Sequence, residues 1–222
     1  MMRLFIYCAG GIGRETYDIA IKADSQGSQW SEICFIDDLM GKGQFYGTRQ
    51  FTYEQFKKTF HPAECRVVIA NGEPRCRRIL ADKVRADEYT LASVVDPIAQ
   101  ISPSSKFGDG AIIFPNTYIS SCAALGNNVL ISVGSAIGHD TFIGDNTVVS
   151  TLVSVSGNCS IGSGCYIGTK SCIKEKVRIG DNTIIGMGSC VFRDVGAGMI
   201  ALGNPARESR ANIDQKVFDS SS

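Results

Sequence analysis

The sequence predicts a two-part fold: an α/β unit with a small parallel sheet, then a parallel β-solenoid of six-residue repeats. Three observations carry this expectation. The first is a step in composition. Of 222 residues, the 102 from Ile98 to Met199 hold 12 charged side chains, whereas the other 120 hold 32. The charge-poor span also holds 15 of the 24 glycines, which without a pattern would suggest a linker. The second observation supplies the pattern. Stepping by six from Ile101 to Val191, every position is bulky and apolar, among them Ile113, Ile131, Ile143, Ile161 and Ile179. The third is a strand, glycine turn and helix start at the N-terminus, Leu4 to Cys8 followed by Gly10-Gly11-Ile12-Gly13.

A second column fixes the register of the repeat. Two residues before each apolar position from Phe107 to Val191 stands a small or β-branched residue, from Ser105 through Thr117, Thr141 and Cys165 to Ser189. Glycine follows the apolar position at 108, 126, 138, 144, 162, 168, 180 and 186, as expected where a corner turns sharply. A period of six does not hold one face of a helix at 3.6 residues per turn, but three short strands per coil send every sixth residue into one interior. Three hexapeptides make an eighteen-residue coil. No insertion breaks the register from 101 to 191, so the coil carries no lid of its own and any site lies on its outer faces. Flat repetitive faces of this kind are usually buried by symmetric self-association.

In the N-terminal part, a helix is expected from Glu15 to about Ala23. A second strand, Ile33 to Ile36, ends in Asp37-Asp38. A third, Arg66 to Ala70, leads through Asn71-Gly72 into a basic helix from Pro74 to Arg85, and a fourth spans Thr90 to Val95. Polar clusters at strand ends make this a Rossmann-like unit with a mononucleotide site. Backbone N–H groups at the helix start suit a phosphate. Residues 1–97 are assigned to this unit, 98–199 to the coils and 200–222 to a tail.

Composition excludes several function classes. Lys plus Arg equals Asp plus Glu, 22 each, so there is no overall positive field for nucleic acid or an acidic membrane. No apolar run is long enough to span a membrane, and the N-terminus lacks the pattern of a secretory signal, so a cytoplasmic protein is expected. Nine scattered cysteines with no C-x-x-C pair argue against a disulfide framework and a zinc cage, and no metal is expected. Cys159 and Cys165 read as members of the small inward column.

His139 is the candidate catalytic residue. It follows Ile137 by two, beside a corner, and should point outward. Asp140 can accept an imidazole N–H and fix the tautomer. Eighteen residues on, one coil away and about 4.8 Å by strand spacing, Gly157 offers a bare backbone N–H to a developing oxyanion.

The repeat, together with Cys8-Ala-Gly-Gly-Ile-Gly-Arg-Glu15, Phe35-Ile-Asp-Asp38, Gly138-His-Asp140 and Gly203-Asn-Pro-Ala-Arg207, resembles the hexapeptide-repeat sugar acetyltransferases that carry a nucleotide-binding front domain. These include the nucleotide-4-amino-sugar N-acetyltransferases and the sialic acid O-acetyltransferases. The resemblance implies a left-handed coil, a homotrimer with active sites between subunits, and acetyl-CoA as co-substrate. It implies an acceptor nucleotide sugar held by Gly10, Gly11, Ile12, Asp37, Asp38 and Ala70. It further implies a coenzyme groove lined by Gly157, Thr169, Met187, Gly203, Asn204, Pro205 and Arg207, the last pairing with phosphate. Val148 stands where relatives often carry a second histidine. The expected activity is N-acetylation of a UDP- or dTDP-linked 4-amino-deoxysugar by direct transfer, with His139 as general base. O-acetylation of a sugar hydroxyl and a non-catalytic scaffold remain alternatives.

Overall fold

The computed structural model describes residues 2–25, 27 and 29–218. The front domain is built on a six-stranded sheet. Its elements are β1 (Met2–Tyr7), α1 (Gly11–Ala23), β2 (Trp30–Ile36), β3 (Gly43–Phe45), β4 (Thr48–Phe51), α2 (Tyr53–Thr59), β5 (Cys65–Ile69), α3 (Pro74–Ala86) and β6 (Thr90–Leu91). The strand order is β3-β4-β2-β1-β5-β6. β1 lies between β2 and β5, parallel to both, so its residues are buried on two faces. Phe5 and Tyr7 point into an aromatic cluster with Phe51, Tyr53, Phe56 and Phe60. Leu4 and Ile6 point the other way, toward Ile19 and Ala20 of α1.

That second cluster does not stop at the domain edge. It continues into Ile112, Leu130 and Val148 on the outer face of the coil. Front domain and coil therefore share one apolar cluster at their junction.

The coil runs as three stacked parallel sheets, with inter-coil pairs such as Ala136↔Ser154 and Ile137↔Val155 eighteen residues apart. Side B holds Ile112–Ile113 through Ile184–Ile185, side C holds Gln100–Ile101 through Cys190–Val191, and side D holds Lys106–Phe107 through Arg178–Ile179. The stretch expected as one strand, Thr90 to Val95, is two. Thr90–Leu91 closes the front sheet, whereas Val94–Val95 pairs with Ile112–Ile113 and begins side B. The apolar column is buried as expected from Ile113 to Val191, but Phe107, on the outermost strand of side D, is 39% exposed.

The glycines do different work from that expected, and the small column, buried as expected from Ala111 to Ser189, also bonds coil to coil. Positive φ falls not on the glycines after the apolar column but two residues later. It recurs every six residues from Gly110 to Gly188, mostly on Asn or Gly. The post-column glycines are required by close approach. A Cβ at Gly126 would stand 2.2 Å from Asp145 Oδ1, and one at Gly144 would stand 2.6 Å from Ser163 N. In the small column, hydroxyls and thiols donate to carbonyls fifteen residues on: Thr141 to Ser156 at 2.9 Å, Thr147 to Gly162 at 2.8 Å, Cys165 to Gly180 at 3.1 Å. Cys159 does the same to Lys174.

One buried cation fastens the two parts. Arg77 of α3 is fully buried, and its guanidinium donates to Asn128 O, Asn128 Oδ1, Ile69 O and Asn71 O at 2.9, 2.7, 2.5 and 3.0 Å. Asn128 Nδ2 returns a bond to Arg77 O at 3.1 Å. Burial pulls the guanidinium pKa down to about 9, so the group stays charged at neutral pH, neutralised by oxygen dipoles alone. Replacing Arg77 with Leu strands these acceptors and should cost about 3 kcal/mol or more of stability. Urea unfolding of the variant against the parent checks it.

Candidate active site

The strand ends of the front domain converge on one cleft edge. α1 starts four residues earlier than the expected Glu15, in the glycine turn itself, with Gly10 as N-cap and no side-chain cap. A Cβ at Gly10 or Gly11 would meet nothing, so this helix start is open; a Cβ at Gly13 would stand 2.1 Å from Cys8 O, so only glycine fits there. Cys8, which closes β1, sits at φ 84°. Ala70 is buried, and its N–H donates to Tyr7 O.

Both aspartates accept hydrogen bonds from the protein, although Asp38 stays exposed. Asp37 Oδ2 accepts from Ala9 N at 2.9 Å, and its Oδ1 accepts from Leu39 N and Met40 N. Asp38 Oδ2 accepts from Tyr7 Oη at 2.6 Å, and its Oδ1 accepts from Tyr53 N at 2.7 Å. Lys83 Nζ lies 3.5 Å from Asp38 and 4.0 Å from the centre of the Tyr53 ring. Both carboxylates, expected to meet ligand, thus hold the strand-end loops in shape.

At the corner between sides C and D, His139 is exposed, its side chain at 60%, and its Nδ1 lies 2.8 Å from Asp140 Oδ2. With Nδ1–H donated to that carboxylate, Nε2 carries the free lone pair. The ring lies over Gly157. A Cβ at Gly157 would stand 2.6 Å from Nε2 and 2.7 Å from Cε1, so any larger residue would push the imidazole away. Backbone bonds stack this corner, Asn158 N to His139 O at 2.8 Å and Lys176 N to Gly157 O at 3.1 Å. Gly157 N–H meets no acceptor among the described residues.

Thr169 and Met187 stack at a different corner, between sides B and C, with Gly188 N bonded to Thr169 O at 2.8 Å. Thr169 Oγ1 meets Ser150 Oγ at 2.8 Å, and Met187 is 78% exposed. Gly203, Asn204, Pro205 and Arg207 form the turn of a hairpin between Met199–Gly203 and Ala206–Ala211 that extends side B, with Asn204–Pro205 cis. Val148 is buried against the front domain and lies on side B, not at the His139 corner. Within one chain, then, the glycine turn and the Thr169 corner share an edge, while His139 lies on the next edge, across side C.

The family models match the same two parts. Residues 3–84 match the PglD N-terminal domain, and residues 158–193 match the bacterial transferase hexapeptide (six repeats). The chain is similar to the acetyltransferase domain of PglB from Neisseria gonorrhoeae FA1090, at 26% identity and TM-score 0.86, covering 94% of this chain and 100% of that one. It is similar to WeeI from Acinetobacter baumannii AYE at 27% identity and TM-score 0.86, again over 94% and 100%. This chain is an acetyltransferase whose coils carry the bacterial transferase hexapeptide.

The left-handed parallel β-helix of this acetyltransferase is shared with PerB from Caulobacter crescentus, at 22% identity and TM-score 0.86 over 94% of this chain and 98% of that one. A search of curated protein sequences finds no match. No helix among the described residues of the acetyltransferase is long and apolar enough to cross a membrane.

Several residues of the site escaped the sequence reading. The Tyr7, Tyr53 and Lys83 surroundings of Asp38 come from three separated elements, and only the alternation of β1 hinted at Tyr7. For Asp38, burial opposes ionisation, but the Tyr7 and Tyr53 hydrogen bonds and the Lys83 ammonium outweigh it and hold the carboxyl below its usual range. A carboxyl depressed in the folded state stabilises above its unfolded pKa, near about 4, and loses that contribution as pH falls through the folded value. Asp38→Asn should therefore lower the Tm of the acetyltransferase at pH 7, and its gap from the parent should narrow below about pH 4. Thermal melts across that range check the sign.

Proposed function

We propose that this acetyltransferase transfers the acetyl group of acetyl-CoA directly to the amine of a nucleotide-linked 4-amino-deoxysugar. The observation that carries the reading is the imidazole of His139, oriented by Asp140 and seated on the bare backbone of Gly157. A side chain at position 157 would displace the ring from this seat. The PglB domain, 26% identical, has a structure in complex with acetyl coenzyme A, which supports the co-substrate.

When bound, acetyl-CoA supplies an activated acyl group. His139 Nε2 takes a proton from the acceptor amine as its nitrogen bonds to the acetyl carbon. Gly157 N–H, free of protein acceptors, donates to the carbonyl oxygen as charge builds on it. The C–S bond then breaks, and the proton carried by His139 passes to the departing thiolate, so no acyl-enzyme forms. Asp140 holds the tautomer throughout.

The acceptor nucleotide is assigned to the open start of α1 at Gly10, Gly11 and Ile12, where uncapped N–H groups favour phosphate. Asp37 and Asp38 serve it from behind by holding the loops, and Ala70 forms part of the floor. Thr169, Met187, Gly203, Asn204, Pro205 and Arg207 are assigned to the co-substrate. Because these groups and His139 occupy different edges of one chain, a second copy must bring the edges together. A homotrimer places the B–C edge of one subunit against the C–D edge of its neighbour.

His139→Ala should lower kcat by about a hundredfold or more with the Tm unchanged. Gly157→Ala should do the same by displacing the ring. A parent-like rate in His139→Ala would exclude the general base. Assays comparing amine and hydroxyl acceptors on UDP, dTDP and GDP carriers decide the acceptor group.

The shared site makes a second expectation. Subunits carrying His139→Ala, mixed and reassembled with subunits carrying Gly11→Asp, should regain part of the activity that both variants lack alone. No recovery in verified mixed oligomers would place the whole site within one chain.

A further inference from the structure

The chain does not end with the coils. After the tail hairpin, Asn212 Nδ2 caps the last coils at Asn182 O, 2.8 Å. The following residues then run back to the front domain. Arg75 donates to Asp214 O at 3.0 Å, and Arg78 to Gln215 Oε1 at 3.3 Å. Both Val217 N and Phe218 N donate to one oxygen of Glu73, at 2.8 and 3.2 Å. Glu73 is the N-cap of α3, directly after the third strand-end turn. This strap holds the Phe218 ring at a defined place.

That place is the mouth of a cavity of about 220 Å³ between the glycine turn and side B. Phe218 stands edge-on to Tyr166, with ring centroids 5.6 Å apart and planes at 84°. Its Cε2 lies 3.9 Å from where a Gly72 Cβ would be, and the same Cβ would strike Ile12 Cδ1 at 2.8 Å. The walls are mixed in chemistry. Leu130, Val148 and the two aromatic rings supply apolar surface; Glu15, Ser132, Ser150 and Thr151 supply a carboxylate and hydroxyls. Ser150 is bonded to Thr169, so the cavity reaches from the proposed nucleotide turn to the proposed co-substrate edge. Phe218 itself is 51% exposed, a large apolar ring that borders this cavity.

We infer that Phe218, positioned by the Glu73-anchored strap, is a specificity-determining wall of the acceptor site. It receives the apolar face of the sugar ring while the hydroxyl- and carboxylate-bearing wall takes the polar substituents. The inference rests on the acceptor assignment above. A flat ring against a sugar's C–H face gives affinity that an aliphatic side chain of similar bulk does not reproduce.

The test is steady-state kinetics of the full-length enzyme with the nucleotide sugar it uses best. Phe218→Ala should raise the acceptor KM about tenfold, leaving kcat and the acetyl-CoA KM within about twofold. Phe218→Tyr should restore the parent KM. A strap that only braced the fold would lower Tm or kcat instead of changing KM for one substrate. If Phe218→Ala lost its fold, Phe218→Leu carries the same expectation. An unchanged acceptor KM in an active variant overturns the role of Phe218 and leaves the proposed function standing. Failure of the parent enzyme to acetylate any nucleotide-linked sugar overturns both.

Discussion

Every part of the candidate site depends on the register of the coil ladder. Residue i sits against residue i+18, tied by bonds such as Gly138 N to Val155 O and Asn158 N to His139 O, both 2.8 Å. A one-residue slip would turn each inward isoleucine outward and move every corner. The hydroxyl and thiol column resists such a slip, because Thr141, Thr147, Cys159 and Cys165 each donate to a carbonyl of the neighbouring coil. With the register held, the residue beneath His139 is Gly157 and no other. The proposed catalytic geometry is a by-product of stacking, and it needs no flexible loop.

The front domain is equally constrained. Its apolar cluster runs into side B, and the buried Arg77 guanidinium grips Asn128 at a coil corner. A buried charge with no carboxylate partner is costly unless every donor is met, so the bond geometry tolerates little rotation of one part against the other. This rigidity matters for the proposed chemistry. The glycine turn of α1 keeps a fixed place above the B–C edge, and a nucleotide held there presents its sugar to a set position. The strap that ends at Phe218 reinforces the same junction from outside, through Arg75, Arg78 and Glu73.

Much of this was legible in the sequence because the signal was periodic. Sixteen apolar positions in strict steps of six leave no other architecture, and His139, Asp140 and Gly157 followed from counting eighteen. Where periodicity stopped, so did legibility. The glycines at 126 and 144 looked like corner formers; in space they are points where the next coil comes within contact distance of a missing side chain. The left-handed backbone fell instead on residues such as Asn128, Asn146 and Asn182, whose short amides tolerate that conformation. Helix α2, the β3–β4 hairpin and the strap lie in charged, non-repeating segments, where local propensity gives little contrast. Asp37 and Asp38 read as ligand groups because strand-end acids often are, but Tyr7, Ala9 and Tyr53, all distant in sequence, donate to them beside the adjacent Leu39 and Met40.

The sequence by itself determined the coil, its register, the outward histidine with its acid and the glycine beneath it, since each depends only on spacing along the chain. Tertiary structure alone decided that Arg77 is the rivet, that the two aspartates are occupied by the protein, and that Phe218 closes a cavity 200 residues from the glycine turn it faces. It also showed that the glycine turn and His139 occupy different edges of one subunit. Those facts rest on contacts between elements with no fixed offset between them. Their physical cause is burial and hydrogen-bond satisfaction across the domain junction, which no pattern within a single segment encodes.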